Sequence, residues 1–165
     1  HLKTPNSIKR IAFISLLVLI VQISLGGWTS SNYAALSCPD LPKCQASWWP
    51  PVMDFQEGFI LWRGIGIDYE GGILEHPARV AIHFSHRLGA IFSAFIIGLL
   101  AFRLLKLSIT RLDGIFVLTA LVAQLSLGVS IVAFGIPLFI AVAHNAVAAL
   151  LLLTVLNANQ RLNNF

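Results

Sequence analysis

Hydrophobic residues of the chain are gathered into four long runs, and most polar residues lie between or beyond them. The runs cover about residues 11–27, 80–105, 114–134 and 137–157. A helix needs roughly 20 apolar residues to cross a bilayer, and each run approaches or exceeds that length. With 57% hydrophobic and 11% charged residues, the composition is far from that of a soluble domain. The pattern predicts an all-α membrane protein, a single domain over residues 1–165 built as a bundle of four transmembrane helices.

Basic residues indicate which ends of the helices face the cytoplasm. Seven of the eleven lysines and arginines flank the runs on one side, and the positive-inside rule assigns that side to the cytoplasm. We therefore expect both termini there, and the loop at residues 30–78, with six of the seven acidic residues, on the outer, periplasmic side. The net charge of +4 then reflects topology, so membrane lipid is an expected partner and nucleic acid is not. The seven basic residues are Lys3, Lys9, Arg10, Arg103, Lys106, Arg111 and Arg161.

A short repeated motif suggests that a pair of helices has been duplicated. The first run ends in QISLGG from Gln22, the third contains QLSLGV from Gln124, and each is followed by a run that carries a histidine. Similar composition of apolar helices is the alternative explanation. The third and fourth runs are separated only by AFGIPLF, where Pro137 is placed to start a helix at its first turn. These two runs are expected to form a tight hairpin.

The outer loop is rich in aromatic residues, unlike a disordered linker. In the segment that starts at Asp54, the aromatic residues Phe55, Phe59 and Trp62 share one face at helical spacing, as in a helix that lies in the membrane interface. Packing over the outer end of the bundle would explain the same residues. In either case we expect the loop to cover whatever site lies beneath it. Tryptophans typical of the headgroup level are Trp48, Trp49 and Trp62.

The two cysteines of the chain, Cys38 and Cys44, form a CPDLPKC motif in the outer loop. An oxidising compartment favours a disulfide between them, and such a bond would close a small, proline-stiffened ring. A redox-active thiol pair is a second interpretation. A metal site is a third, and it would require two further ligands nearby.

Three of the five histidines, His83, His86 and His144, lie within apolar runs. Polar groups inside a membrane span are costly and by default suggest a function. His86 is nine residues past Pro77 and His144 seven past Pro137, so each ring is expected on the order of 10 Å below the outer end of its helix. Two imidazoles at matched depth on two helices are the arrangement that a bis-histidine heme requires.

Neighbouring residues are compatible with heme, although the histidines leave other interpretations open. Arg87 is placed to pair with a propionate, and small residues near the ligands leave room for a planar ring. Hydrogen bonding between helices, or a zinc or copper ion held by His83, His86 and His144, are the alternatives. His83, three residues before His86, could be an alternative ligand, a propionate donor or a proton carrier. The small residues are Gly89, Ala90, Ser93, Gly128, Ala141, Ala143, Ala146, Ala148 and Ala149.

Several motifs occur in the order found in one membrane-enzyme family. The segments LGGWTSSNYAALSCPDLPKC, WWPP, IHFSHR and AVAHNA together resemble heme A synthases of cytochrome oxidase assembly, over about residues 11–156. That family has eight spans in two similar four-helix halves. The resemblance implies oxidation of the C8 methyl of heme O to the formyl of heme A.

The resemblance also indicates which half is present. The half that binds the substrate heme O carries E-x-x-H-R, whereas His83 occupies the glutamate position in this chain. The chain therefore looks like the carboxy-terminal half of a bacterial member, whose paired histidines hold a heme b cofactor. Carried over, His86 and His144 are the axial ligands, and Cys38 and Cys44 the disulfide of this half.

The leading hypothesis is thus the heme b-binding half of a bacterial inner-membrane oxidoreductase, inactive as a synthase by itself. Its expected partners are the amino-terminal half of the same protein and a heme O synthase or an electron donor. A stand-alone b-type cytochrome that carries electrons is the alternative, and a module without heme is a third possibility. The chain begins with His1 and has no methionine before Met53, as a piece of a longer protein would.

Overall fold

The computed structural model describes residues 6–63 and 72–164. Lys3 and the acidic Asp68 and Glu70 of the predicted outer loop lie outside the described residues. Four of the helices in the described ranges are long and apolar enough to cross a membrane, which confirms the predicted all-α fold class. The described helices are α1 (Asn6–Ser31), α2 (Phe55–Gly58), α3 (His76–Leu105), α4 (Arg111–Ala133) and α5 (Leu138–Asn163), with a 3-10 turn at Ser108–Thr110.

The long helices generally extend past the apolar runs that predict them. Polar residues at the ends of a spanning helix lie at the level of the headgroups, where the backbone can remain helical. The most consequential difference is that α4 begins at Arg111, which places Asp113 in its first turn rather than before the span. Pro137 precedes α5 as its N-cap residue instead of occupying the first turn.

The four long helices form a bundle in which each helix has two neighbours. α1 packs against α3 and α5, and α4 packs against the same two helices. α3 and α5, which carry the histidines, therefore occupy diagonally opposite corners. We call the end that bears residues 32–54 the loop end, and the end that bears Asn6, Asn163 and the α3–α4 connection the terminal end.

The largest hydrophobic cluster lies in the terminal half of the bundle, and two smaller clusters lie between the outer loop and the start of α3. All buried residues of α5 lie there, as do those of α4. In the loop half, by contrast, no described residue of α4 or α5 is fully buried, so these two helices are not packed tightly to their neighbours at that level. The core residues are Ile8, Ala12, Leu19, Ile97, Leu100, Ala101, Leu104, Val117, Leu121, Leu151, Val155, Ala158 and Leu162.

Burial follows the repeat suggested by the sequence. A shift of 102 positions takes Gln22 of α1 to Gln124 of α4, and a shift of 58 takes His86 of α3 to His144 of α5. The same two shifts take eight buried residues onto eight other buried residues, which shared composition alone does not explain. The pairs are Ile8 with Thr110, Ala12 with Gly114, Ser15 with Val117, Leu19 with Leu121, Ser93 with Leu151, Ile97 with Val155, Leu100 with Ala158 and Leu104 with Leu162.

The outer loop packs down on α1 and α3. Indole Nε1 of Trp28 donates to the carbonyl of Gly58 at 2.9 Å, and a Cβ at Gly58 would stand 2.9 Å from the carbonyl oxygen of Ala78. The rings of Trp49 and Phe84 meet edge to face at 5.3 Å. The loop is therefore an ordered cover over the start of α3.

The predicted interfacial helix is shorter than its aromatic spacing suggested. The carboxylate of Asp54 accepts from the amide of Glu57 and caps α2, but the helix ends after one turn at Gly58. The rings of Phe55 and Phe59 stack at 6.5 Å. Trp62 lies beyond the helix and is 76% exposed, so the expectation that it shares their helical face was wrong.

A buried carboxylate joins α4 to α5 at the terminal end. Asp113 is 3% exposed. It pairs with the guanidinium of Arg161 at 3.0 Å and accepts from the side-chain amide of Asn157 at 2.9 Å. Since a buried charge is stable only when paired, these contacts fix the two helices relative to each other.

Close packing of α3 and α4 at the same end yields a test of the fold. A Cβ at Gly114 would stand 2.8 Å from the backbone nitrogen of Leu105 and 3.0 Å from the carbonyl oxygen of Ala101. We expect Gly114→Ala to destabilise the chain by about 1–3 kcal/mol through overpacking, measured by denaturant titration in detergent.

The matched control is Gly98→Ala, where the added Cβ would meet only a side-chain carbon of Leu121 at 4.0 Å. This variant should be neutral, or more stable by up to about 1 kcal/mol, because alanine favours helix over glycine. Equal stability of the two variants would contradict the close crossing of α3 and α4.

Candidate functional site

His86 of α3 is held from α1 by a glutamine. Side-chain Nε2 of Gln22 lies 3.0 Å from Nδ1 of His86 and donates to its backbone carbonyl at 3.1 Å. The imidazole lies against Gly26, where an added Cβ would stand 3.2 Å from Cε1 of the ring. One turn of α1 thus supplies both a hydrogen-bonding side chain and the space for the ring.

His144 of α5 has similar surroundings, supplied by α4, but its glutamine meets the opposite ring nitrogen. Side-chain Nε2 of Gln124 lies 3.1 Å from Nε2 of His144. A Cβ at Gly128 would stand 3.2 Å from Cε1 of this ring. Because the two glutamines and the two glycines are equivalent in the repeat, the second helix pair reproduces the histidine site of the first.

The histidines lie on diagonal helices, at a level where no described residue of α4 or α5 is fully buried. Three side-chain atoms around them are buried and have no hydrogen-bond partner: Oε1 of Gln22, Oε1 of Gln124 and Nδ1 of His144. A buried polar atom left unpaired costs about 1–3 kcal/mol, so this cluster is suited to a bound group that uses the histidine nitrogens.

His83 belongs to a different environment from His86. It is 4% exposed, and its ring lies between the backbone nitrogen of Cys38, 3.2 Å from Nδ1, and Nε of Arg87, 3.2 Å from Nε2. The ring therefore contacts the cysteine loop rather than the glutamine-bound histidines. A neutral imidazole accepts at one nitrogen only. Because the charged guanidinium is the stronger of the two donors, we take Nε2 of His83, which faces Arg87, as the accepting nitrogen.

Arg87 holds the cysteine loop onto α3. Its Nη1 donates to the carbonyls of Asp40 and Lys43 at 2.8 Å each, and its Nη2 to the carbonyl of Cys38 at 2.5 Å. Four of the five N–H groups of a guanidinium are thus used within the protein, counting the bond to His83. The pairing of Arg87 with a propionate stays a prediction, with one N–H left for it.

The loop that Arg87 holds is closed by the disulfide Cys38–Cys44. This confirms the predicted bond. The carboxylate of Asp40 accepts from the backbone amides of Gln45 at 2.7 Å and Ala46 at 2.8 Å. Desolvation opposes its ionisation, but these amides and the charge of Arg87 outweigh it and hold the pKa of Asp40 below its usual value. The carboxylate of Asp40 therefore stays ionised, and able to accept these hydrogen bonds, to a lower pH than an ordinary aspartate would.

Two predicted alternatives lose support at this point. Within residues 6–63 and 72–164, no three side chains of histidine, cysteine, aspartate or glutamate come together as a metal cluster. That finding disfavours an ion held jointly by His83, His86 and His144. The cysteines are joined to each other, so they are not metal ligands.

Sequence reasoning identified the histidines but not the residues that hold them. Gln22, Gly26 and Gln124 lie in the repeated QxSLG motif, which was interpreted only as evidence of duplication. Gly128 of the same motif was expected to lie near the ligands as a small residue, and it lies against His144. The pairing of Asp113 was missed because this residue stands at the edge of its apolar run.

Comparison with known proteins gives a consistent result. The sequence profile of the cytochrome oxidase assembly protein family (COX15-CtaA) matches residues 1–156. A heme A synthase of Shewanella oneidensis is 45% identical over 149 residues, 90% of this chain and 45% of that protein. One from Flavobacterium psychrophilum is 31% identical, over 89% of this chain and 41% of that protein. The chain thus spans less than half the length of these relatives, and no solved structure matches it.

The contacts of Arg87 yield a test of the loop's attachment. Replacing Arg87 with alanine removes donors to three loop carbonyls. Because a hydrogen bond to a charged group contributes about 1.5–3 kcal/mol, local opening of residues 38–45 should rise on the order of tenfold or more. Amide hydrogen exchange and the rate of disulfide reduction by dithiothreitol both measure this opening. Arg103→Ala, an exposed position near the far end of α3, is the control, and equal exchange in the two variants would refute the role of Arg87.

Proposed function

Because the chain belongs to the cytochrome oxidase assembly protein family, we propose that it is the heme b-binding half of a heme A synthase. Its role is to support oxidation of the C8 methyl of heme O to the formyl of heme A, a reaction that we place in another four-helix half. One observation carries the proposal. His86 and His144 lie on diagonal helices, each held by an equivalent glutamine and glycine, at a level where no described residue of α4 or α5 is fully buried.

In this proposal His86 and His144 would hold the heme iron. When bound, heme b supplies a reversible one-electron couple. The unpartnered buried nitrogen of His144 is accounted for, because a metal ligand needs no other partner. The small residues Gly26 and Gly128 keep the imidazoles close to the helix backbones, and the ordered loop above α3 limits the access of water.

The surroundings of His83 support placing the oxidation elsewhere. From the family resemblance, this position holds a glutamate in the half that binds heme O. Here its ring is buried against Arg87 and the backbone of Cys38. A side chain fixed between two donors in this way is poorly suited to exchange protons with a substrate, and we assign it to holding the loop.

The length of the chain relative to the known synthases suggests its main partner. It spans 45% of the Shewanella oneidensis protein, so we propose that an amino-terminal four-helix half packs beside it. A heme O synthase or an electron donor is a further partner. We place the assembly in the bacterial inner membrane with the loop end periplasmic and both termini cytoplasmic, following the distribution of basic residues.

A stand-alone b-type cytochrome is the second candidate function. It is favoured by the fact that both histidines and both glutamines come from the same four helices, so the site needs no residue from elsewhere. The two candidates differ in whether heme A formation depends on this chain.

Removing the proposed ligands tests heme binding. We expect the purified chain, supplied with heme b, to show the absorption spectrum of a low-spin bis-histidine heme. His86→Ala and His144→Ala should each weaken heme binding by far more than about tenfold, since even losses in the outer shell of a metal site cost 10–100-fold. His76→Ala, an exposed position outside the site, and His83→Ala should both retain the low-spin spectrum. Retention of that spectrum in the double variant His86→Ala/His144→Ala would refute the ligand assignment.

Co-expression separates the two candidate functions. The chain expressed with an amino-terminal half of a homologous synthase should allow heme A to accumulate, measured by chromatography of extracted hemes, and the His144→Ala variant should abolish this accumulation. The chain alone should yield none. Heme A that forms at the normal level with the variant would favour the stand-alone cytochrome.

A further inference from the structure

We infer that Gln22 and Gln124 are positioning residues that fix the imidazoles of the two axial histidines and raise the electron donation of those rings to the iron. The inference rests on the proposed function, since it concerns how His86 and His144 bind heme. It assigns a role to two polar side chains inside the membrane that the ligand set leaves unexplained.

The first argument comes from the hydrogen bonds that a ligating histidine requires. A neutral imidazole has one nitrogen that accepts and one that donates. If the accepting nitrogen binds iron, the other carries a hydrogen and needs an acceptor nearby. Among the described contacts, a glutamine amide lies 3.0 Å from Nδ1 of His86 and another lies 3.1 Å from Nε2 of His144. Nε2 of His86 and Nδ1 of His144 are then the nitrogens left for iron.

Each glutamine also carries an acceptor oxygen that makes no hydrogen bond in the structure. In the structure the amide nitrogens face the imidazoles, and Oε1 of both glutamines is buried without a partner. Turning either amide about its last torsion brings Oε1 to the histidine, where it accepts from the imidazole N–H, and moves Nε2 to the position that Oε1 had occupied. Gln22 would give up its 3.1 Å bond to the carbonyl of His86, whereas Gln124 has no such second bond among the described contacts.

The third argument is the repetition of the arrangement. The same Gln-x3-Gly spacing occurs on α1 and on α4, and on both helices the glutamine meets the imidazole while the glycine leaves space for it. Two occurrences related by the internal repeat are hard to attribute to the packing accidents of one helix pair. Gly89 adds to the site on α3, because a Cβ there would stand 2.3 Å from Oε1 of Gln22.

A purely structural role makes different predictions. Glutamine–histidine bonds between membrane helices help the helices to associate, and their loss would lower stability without changing the electronic properties of the heme. A positioning residue that accepts from the ligand N–H makes the imidazole a better donor and stabilises ferric iron. The reduction midpoint potential and the ferric electron paramagnetic resonance spectrum therefore separate the two roles.

The experiment compares Gln22→Leu with Gln22→Glu in the full chain reconstituted with heme b. Leucine removes the acceptor, so we expect a higher midpoint potential and shifted low-spin g values. Glutamate keeps an acceptor oxygen at the same reach, so the potential should return to the wild-type value or fall below it. Gln124→Leu and Gln124→Glu should behave in the same way. The control is Ser24→Ala, which alters an exposed side chain of the repeat that bonds only within α1.

The possible outcomes are distinguishable from those of the proposed function. If the wild-type chain and the Ser24→Ala control bind no low-spin heme, the proposed function itself fails. If they bind it, and both leucine variants match the control in potential and g values, only the role of the glutamines is overturned. Loss of heme in a leucine variant with recovery in the glutamate variant supports the inference, and loss in both variants contradicts it.

Discussion

A polar side chain between membrane-spanning helices has to find its partner within the protein, because the hydrocarbon around the bundle offers none. This requirement organises both ends of the molecule. At the terminal end Asp113 is matched by Arg161 and Asn157, and the result is a fixed contact between α4 and α5. At the level of the histidines Oε1 of Gln22, Oε1 of Gln124 and Nδ1 of His144 are buried without a hydrogen-bond partner, as is Oγ of Ser15 in the packed terminal half. At the histidines such atoms occur beside two imidazoles, and the proposal of a bound group rests on that combination.

The division of the bundle into two halves follows from the same constraint. The terminal half is packed with aliphatic side chains and holds the helices at fixed relative positions. The loop half keeps its helices less tightly packed around His86 and His144, where glycines take the place of larger residues. The packed terminal half can therefore hold the helices that carry His86 and His144 in place, without support from the side chains around the histidines. The loop, held by Arg87 and closed by its disulfide, covers α3 near one of the two histidines.

Much of this could be predicted from sequence because the responsible signals are local. Hydropathy alone predicts four helices, and matched depth selects His86 and His144 from the other histidines. What could not be predicted depends on partners far apart in the chain. Arg87 donates hydrogen bonds to carbonyls more than 40 residues away in the chain. No rule of sequence spacing predicts such contacts. His83 is an example. Its spacing places it on the same helix face as His86, yet its ring contacts the cysteine loop, because it is hydrogen-bonded to Arg87 one turn later and to the backbone of Cys38. For α2 the local signal itself was misleading. The aromatic spacing continues to Trp62, whereas the helix ends at Gly58, so its length was overestimated.

The central claim is that one group is held by His86 and His144 together. Electron–nuclear double resonance on the oxidised chain loaded with heme b tests it directly, with histidine labelled by nitrogen-15 in the imidazole ring. The account predicts two histidine nitrogens strongly coupled to the iron in the wild-type chain, with one of the two couplings lost on replacing either His86 or His144 with alanine in whatever heme the variant retains. A single coupled histidine nitrogen in the wild-type chain, or two that persist in either variant, would contradict it.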